Sequence, residues 1–280
     1  MNLGGILPQL HDPDGHGVRF CTVQHHTDLP DGTVTAATCC SARRWPLPQA
    51  RNVLVVTARP GQESAELGGV LYAFRRSGAS LALLCLTRGE ASPLNSTRCS
   101  RLEAIRPWEL QVAAHVLGIS SVTVVNYPDG ALHRQPPDEL AERVWRAIRA
   151  HSADLLLVPD PQADNSGDTA VAAATCAAAT QMGVPALART EPGAKDSWLL
   201  DLGTERGNAR AIQKCAVAAH ESQSQALPEL ARGLDLAGGR EALRWLVRPG
   251  EHNTGKLPEE PAGHGSRRPC SWRAGSPRRR

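Results

Sequence analysis

NVLVVTARPGQESAELGGVLYAFRRSGASLALLCLT, residues 52–87, reads as one strand–helix–strand unit. Asn52–Thr57 is a short apolar run, the pattern of a strand buried on both faces of a parallel sheet. From Glu63 to Ser77 the apolar residues Leu67, Val70, Leu71 and Phe74 fall on one side of a helix. Leu81–Leu86 repeats the buried-strand pattern. At this spacing the two strands lie parallel and the helix closes a right-handed crossover.

The alternation continues downstream. Arg101–Leu117 reads as a second helix, with Leu110, Ala113, Ala114 and Leu117 on one side. Val122–Asn126 is a third strand, Asp138–Ala150 a third helix, Asp154–Val158 a fourth strand and Asp168–Met182 a fourth, alanine-rich helix. Trp198–Leu202 reads as a further strand, and Glu205–His220 and Gly239–Leu246 as helices. The implied fold is α/β, a mainly parallel sheet with helices on both faces. One domain spans 51–248. Residues 1–50 form a partly disordered extension with weak strand patterns at Val18–Val23 and Thr33–Thr38, and 249–280 a disordered basic Pro/Gly/Arg tail. Ligands bind such sheets beyond the carboxyl ends of the strands. The loops Ala58–Glu66, Thr87–Ser100, Tyr127–Pro137 and Pro159–Asp168 therefore carry the chemistry.

Composition narrows the function. With 41% hydrophobic and 21% charged residues the chain is globular rather than wholly disordered. Thirty-one basic against 28 acidic residues give a net charge of +3, too balanced to argue for nucleic acid. Part of the excess sits at Arg267, Arg268, Arg273 and Arg278–Arg280. The apolar stretches Leu81–Leu86 and Ala170–Ala179 fall short of the roughly 18–20 residues that span a bilayer. Met1–Leu10 lacks a signal pattern, so a cytoplasmic location with reduced thiols is expected. Arginine outnumbers the three lysines, Lys195, Lys214 and Lys256, as in a GC-rich bacterial genome. No C-x-x-C occurs, adjacent Cys39 and Cys40 make poor zinc geometry, and Cys85 and Cys176 read as small core residues. The turn after the first strand has no G-x-G-x-x-G, and no P-loop occurs, which argues against nucleotides.

Five stretches, in order and on matching elements, carry a resemblance. They are VLVVTARPGQESAELGG (53–69), LLCLTRGEAS (83–92), Arg106-Pro-Trp-Glu-Leu110 running on to Leu117-Gly118, Tyr127-Pro-Asp129-Gly130, and KCAVAAHESQ (214–223). Together the region from about Asn52 to Leu246 resembles the PIG-L/LmbE-type de-N-acetylases. The resemblance implies a Rossmann-like three-layer sandwich and amide hydrolysis on amino sugars. It also implies a zinc ion held by the His and second Asp of A-H-P-D-D-E and the last His of H-P-D-H. The first Asp is then the base and the first His of H-P-D-H the acid. Zinc lowers the pKa of bound water toward about 7, and a carboxylate or imidazole moves the proton.

Position by position, this chain departs from that pattern. Arg59 stands at the first ligand, Gly61 at the base and Gln62 at the second ligand, with Glu63 retained. Ser166 stands at the acid and Thr169 at the third ligand, and only Asp168 is kept between them. Arginine stays protonated and cannot ligate zinc. At about 4 Å and an effective dielectric of about 20 its charge repels a dication by roughly 8 kcal/mol. No zinc cofactor is expected.

Each candidate has two readings. Arg59 grips an anionic ligand, or pairs with Glu63, Asp164 or Asp168. Arg88 and Asp129 touch substrate, or fix their loops. Asp160, Asp164 and Asp168, with Asn165, form an oxygen-rich cation site, or are turn formers with Asp168 as a helix N-cap. His220 is a replacement ligand, or a hydrogen-bonded helix histidine. His25, His26 and His133 are remote from the site in sequence. The expected protein is a degenerate homologue that keeps a pocket for a sugar-like or anionic small molecule, through Arg59, Glu63, Arg88, Asp129 and Asp168, without hydrolysis. Alternatively it serves as a partner for another protein, and the sequence does not choose between self-association and pairing with an active relative. The rival is an active amidase whose relocated metal or metal-free site draws on Glu63, Glu66, Asp164, Asp168 and His220.

Overall fold

A computed structural model of the chain describes residues 46–250 apart from 94–100, 160, 162–165 and 204–205. Of the expected extension only residues 46–50 are described, with Leu47 and Ala50 packed against the core, and of the expected tail only 249–250; the rest lies outside the described residues, as do His25, His26, Cys39, Cys40, Asp160, Asp164 and Asn165.

Seven strands form one sheet: β1 (Asn52–Thr57), β2 (Ser80–Thr87), β3 (Ser121–Tyr127), β4 (Leu155–Val158), β5 (Ala186–Thr190), β6 (Trp198–Asp201) and β7 (Arg240–Val247). Their order is β3-β2-β1-β4-β5-β7-β6. β1 to β5 are mutually parallel, and β7 runs antiparallel between β5 and β6. The helices are α1 (Gln62–Ala65), α2 (Gly68–Arg76), α3 (Leu102–Leu117), α4 (Pro137–His151), α5 (Ser166–Met182), α6 (Arg206–Ala218) and α7 (Leu227–Ala237). This is the expected three-layer α/β sandwich, mostly parallel.

Alternate residues of the central strands feed two separate apolar layers, as the period of two requires. Val53 and Val55 of β1 pack with Leu67, Val70, Leu71 and Phe74 of the α1–α2 segment. Leu54 and Val56 pack with Leu140, Val144 and Ile148 of α4 and with the alanines of α5.

Several elements differ from the sequence reading, among them α7, which that reading left unassigned. The helix expected over Glu63–Ser77 is broken into α1 and α2. Gln213 of α6 inserts at the break, its Nε2 donating to Ser64 O (3.0 Å) and Ala65 O (3.1 Å). Those carbonyls would otherwise have bonded to the next turn. Gly68 makes the insertion possible, because a Cβ there would sit 2.7 Å from Gln213 Cγ. Gly239–Leu246, read as a helix, is strand β7. Its Glu241 is buried and paired with Arg210 Nη1 at 2.5 Å, so a strand interior carries a charge that mimics a helical pattern. β5 was missed because Ala186–Thr190 is rich in alanine, a weak strand former. No helix among the described residues is long and apolar enough to cross a membrane.

Candidate functional site

From β1 the chain runs outward to β2 and β3, then returns to place β4 on the other side of β1. The loops leaving β1 and β4 diverge at this switch point, beyond the carboxyl ends of the strands, where sheets of this kind bind ligands in a crevice. Two side chains cross it. Arg59 Nη1 lies 3.4 Å from Asp168 Oδ1, and Gln62 Nε2 donates to the same oxygen at 2.9 Å. Of the partners foreseen for Arg59, Asp168 is the one found among the described residues, and Asp164 lies outside them. The Arg59 side chain stays 32% exposed while that of Asp168 is 3% exposed. α5 starts at Ser166, so Asp168 belongs to its first turn and is not the N-cap.

Gln62 also shapes the turn. Its Oε1 accepts from the N–H groups of Ala58 (3.0 Å) and Arg59 (3.2 Å), and its Nε2 reaches Glu66 Oε1 at 3.2 Å. One amide thus holds two carboxyl groups, and burial pushes both above the usual carboxylate range. The Asp168 charge raises Glu66 further, while Gln62 and Arg59 oppose the rise at both. Gly61 lies between them at φ 101°, a left-handed conformation suited to glycine, and its N–H donates to Glu63 Oε2 at 2.8 Å.

Glu63 is fully buried and turned away from the crevice. Its Oε1 accepts from Ser64 Oγ at 2.6 Å and from His220 Nε2 at 2.8 Å. Burial raises this carboxyl, but the charge and hydrogen bond of His220, with Ser64, hold it below the usual glutamate value. His220 lies just beyond α6 rather than within a helix. Its Nδ1 meets no partner among the described residues.

The residues after His220 are tied down in the same way. Ser222 donates from N (2.6 Å) and Oγ (2.7 Å) to buried Glu109, and Gln223 Oε1 accepts from Ser92 Oγ at 2.5 Å. Arg106, buried one turn before Glu109, donates to Gly89 O and Pro60 O, both at 2.5 Å. The Arg106–Glu109 pair therefore fastens the loops after β1 and β2 and the turn after α6 to α3. The sequence shows this motif but not its task, because its partners lie on three distant loops.

Arg88 and Asp129 make loop-fixing contacts. Pro107 removes the N–H that would bond Glu103 O, and Arg88 Nη1 donates to that carbonyl instead, at 3.1 Å. Arg88 Nε also donates to Asn126 Oδ1 at 2.9 Å. Half-buried Asp129 accepts from Gly130 N (3.0 Å), Ala91 N (3.1 Å) and Thr87 Oγ1 (3.4 Å).

At the other side of the crevice Thr169 Oγ1 donates to Pro161 O at 3.2 Å, and Ser166 Oγ lies 3.1 Å from His133 Nδ1. The turn Leu132–Arg134 after β3 brings that histidine in, against the sequence reading that set it apart. Separation by 33 residues hid the contact.

A dication does not fit positions 59, 62 and 169. The guanidinium already neutralises Asp168, the Gln62 oxygen serves two backbone N–H groups, and the Thr169 hydroxyl is held by a carbonyl. Nor do the described parts named for a relocated site converge, Asp164 lying outside the described residues. Glu63 and His220 face each other, whereas Glu66 and Asp168 share Gln62. Among the described residues no group of three or more His, Cys, Asp or Glu is placed to hold a metal.

Residues 54–179 match the family model PIG-L, described as GlcNAc-PI de-N-acetylase. The chain is 32% identical over 112 residues to a probable N-acetyl-alpha-D-glucosaminyl L-malate deacetylase 2 of Bacillus anthracis, covering 38% of this chain and 49% of that protein. It is 28% identical over 227 residues to a 1D-myo-inositol 2-acetamido-2-deoxy-alpha-D-glucopyranoside deacetylase of Kineococcus radiotolerans, covering 77% of this chain and 60% of that one. These alignments span about half to three-fifths of the length of those relatives. N,N'-diacetylchitobiose deacetylase from Pyrococcus horikoshii superposes with a TM-score of 0.56 at 18% identity, over 72% of this chain and 85% of its own. GalB, the 4-carboxy-2-hydroxymuconate hydratase of Pseudomonas putida KT2440, superposes with a TM-score of 0.52 at 18% identity, over 72% and 99%. At such identities the likeness shows a shared fold, and a hydratase on it shows that the fold alone does not fix the reaction.

Proposed function

We propose, from the premise that residues 54–179 match the PIG-L family model, that the chain binds an amino-sugar-like or anionic small molecule in the β1/β4 crevice without zinc-dependent deacetylation. One observation carries the reading: the Arg59 guanidinium stands where the family pattern places a zinc ligand and pairs with Asp168. A fixed cation there repels a dication and attracts an anion. Arg59 and Asp168 are the ligand-facing residues in this reading, with Asp129 at the rim. Glu63 and Arg88 act through the loops they hold. A malate conjugate of N-acetylglucosamine, named in one relative, combines a sugar with carboxylates that suit Arg59.

The test measures zinc per chain by plasma mass spectrometry, deacetylation of N-acetylglucosaminyl malate, and calorimetric binding of that compound to the wild type and to Arg59→Ala. The expected result is no stoichiometric zinc, no turnover, and binding that weakens at least about tenfold in Arg59→Ala. Stoichiometric zinc with turnover overturns the reading.

A further inference from the structure

We infer that Ser166 and His133 form an acyl-accepting pair at the mouth of the crevice, an activity that needs no metal and takes small acyl esters. The Ser166 hydroxyl sits 3.1 Å from Nδ1 of His133, within the reach that lets an imidazole activate a hydroxyl. The two residues come from different crevice loops, the turn after β3 and the start of α5. Both are exposed, so a substrate reaches them, unlike the Ser64–Glu63–His220 cluster, which is sealed in the core. As the first residue of α5, Ser166 directs its hydroxyl to the imidazole rather than into the helix.

The surroundings suit a developing negative charge. The amino end of the 17-residue α5 carries partial positive charge. In the step itself, Ser166 Oγ bonds to the acyl carbon as its proton passes to His133 Nδ1. The bond from that carbon to the leaving alcohol's oxygen breaks, and the alkoxide takes the proton from the imidazole. Water, deprotonated by the same imidazole, then cleaves the serine ester, restoring the hydroxyl and releasing the carboxylic acid. Apart from that water, no oxidant, metal or second substrate enters the balance.

The experiment uses the full chain with p-nitrophenyl acetate. A burst of nitrophenolate is expected, with one acetyl group located on Ser166 by peptide mass mapping. Ser166→Ala abolishes that adduct, and His133→Gln, which accepts a hydrogen bond but no proton, slows its formation about 100-fold or more. Both side chains lie outside the core, so both variants keep the wild-type melting curve, which separates lost chemistry from lost fold. Acetyl found only on lysines or the amino terminus, no adduct at all, or an unchanged rate in His133→Gln overturns the inference. The probe contains no sugar and needs no zinc, so its outcome is independent of the ligand proposed for Arg59.

Discussion

Glu63 and His220 meet 157 residues apart in the chain, and neither reaches water. Replacing His220 with Leu leaves a buried carboxylate without its partner and is expected to lower stability by about 3–5 kcal/mol, read from urea midpoints at pH 7. Adding Glu63→Gln in that background recovers part of the loss. Because the Glu63 carboxyl is held below its ordinary value when folded, its contribution is present above that ordinary value and fades as pH falls through the depressed one. Glu66 and Asp168 behave oppositely. Their folded values are raised, so the folded state holds protons that the unfolded chain has released, and stability falls as pH rises from about 4 upward. The double variant Glu66→Gln, Asp168→Asn flattens that fall in unfolding curves taken across the window. At this scale the sequence told only which residue types had left the zinc pattern. It did not tell that Glu63 turns inward or that His133 returns to Ser166, because both contacts form only once distant loops meet.

Helix α3 shows how an element tolerates a residue that ought to break it. Pro107 strips a hydrogen bond from Glu103 O, and Arg88 supplies another from the neighbouring loop. Arg88→Met is expected to cost about 1 kcal/mol in the wild type and clearly less in Pro107→Ala, where the backbone N–H is restored. A double-mutant cycle of urea midpoints measures the difference, and equal costs in the two backgrounds contradict the assignment. Elements were legible where a continuous apolar run or a clean helical stripe settled them, as in β1, β2 and α4. They were obscured where a side chain from elsewhere rewrote the local rule. Gln213 splits α1 from α2, and the buried Glu241–Arg210 pair disguises β7.

For the whole molecule, the family match ends at residue 179, yet the sheet does not. β7 is the hydrogen-bonding neighbour of both β5 and β6. A fragment of residues 46–205 therefore exposes the edge of β5 and leaves β6 unattached. It is expected to show no cooperative thermal transition and to aggregate, whereas residues 46–250 melt cooperatively. Two apolar layers carry the stability, so a chelator is expected to leave the melting temperature of the full chain unchanged. The alternation of strands and helices told from sequence alone which loops gather where the strand order reverses, between β1 and β4.

The left-handed backbone at Gly61 bears on substitution as well as on geometry. At φ 101°, with its amide leaning on Glu63, this turn is strained by any side chain, so Gly61→Asp on its own meets a peptide bent against it and installs a carboxylate only if the neighbouring backbone gives way.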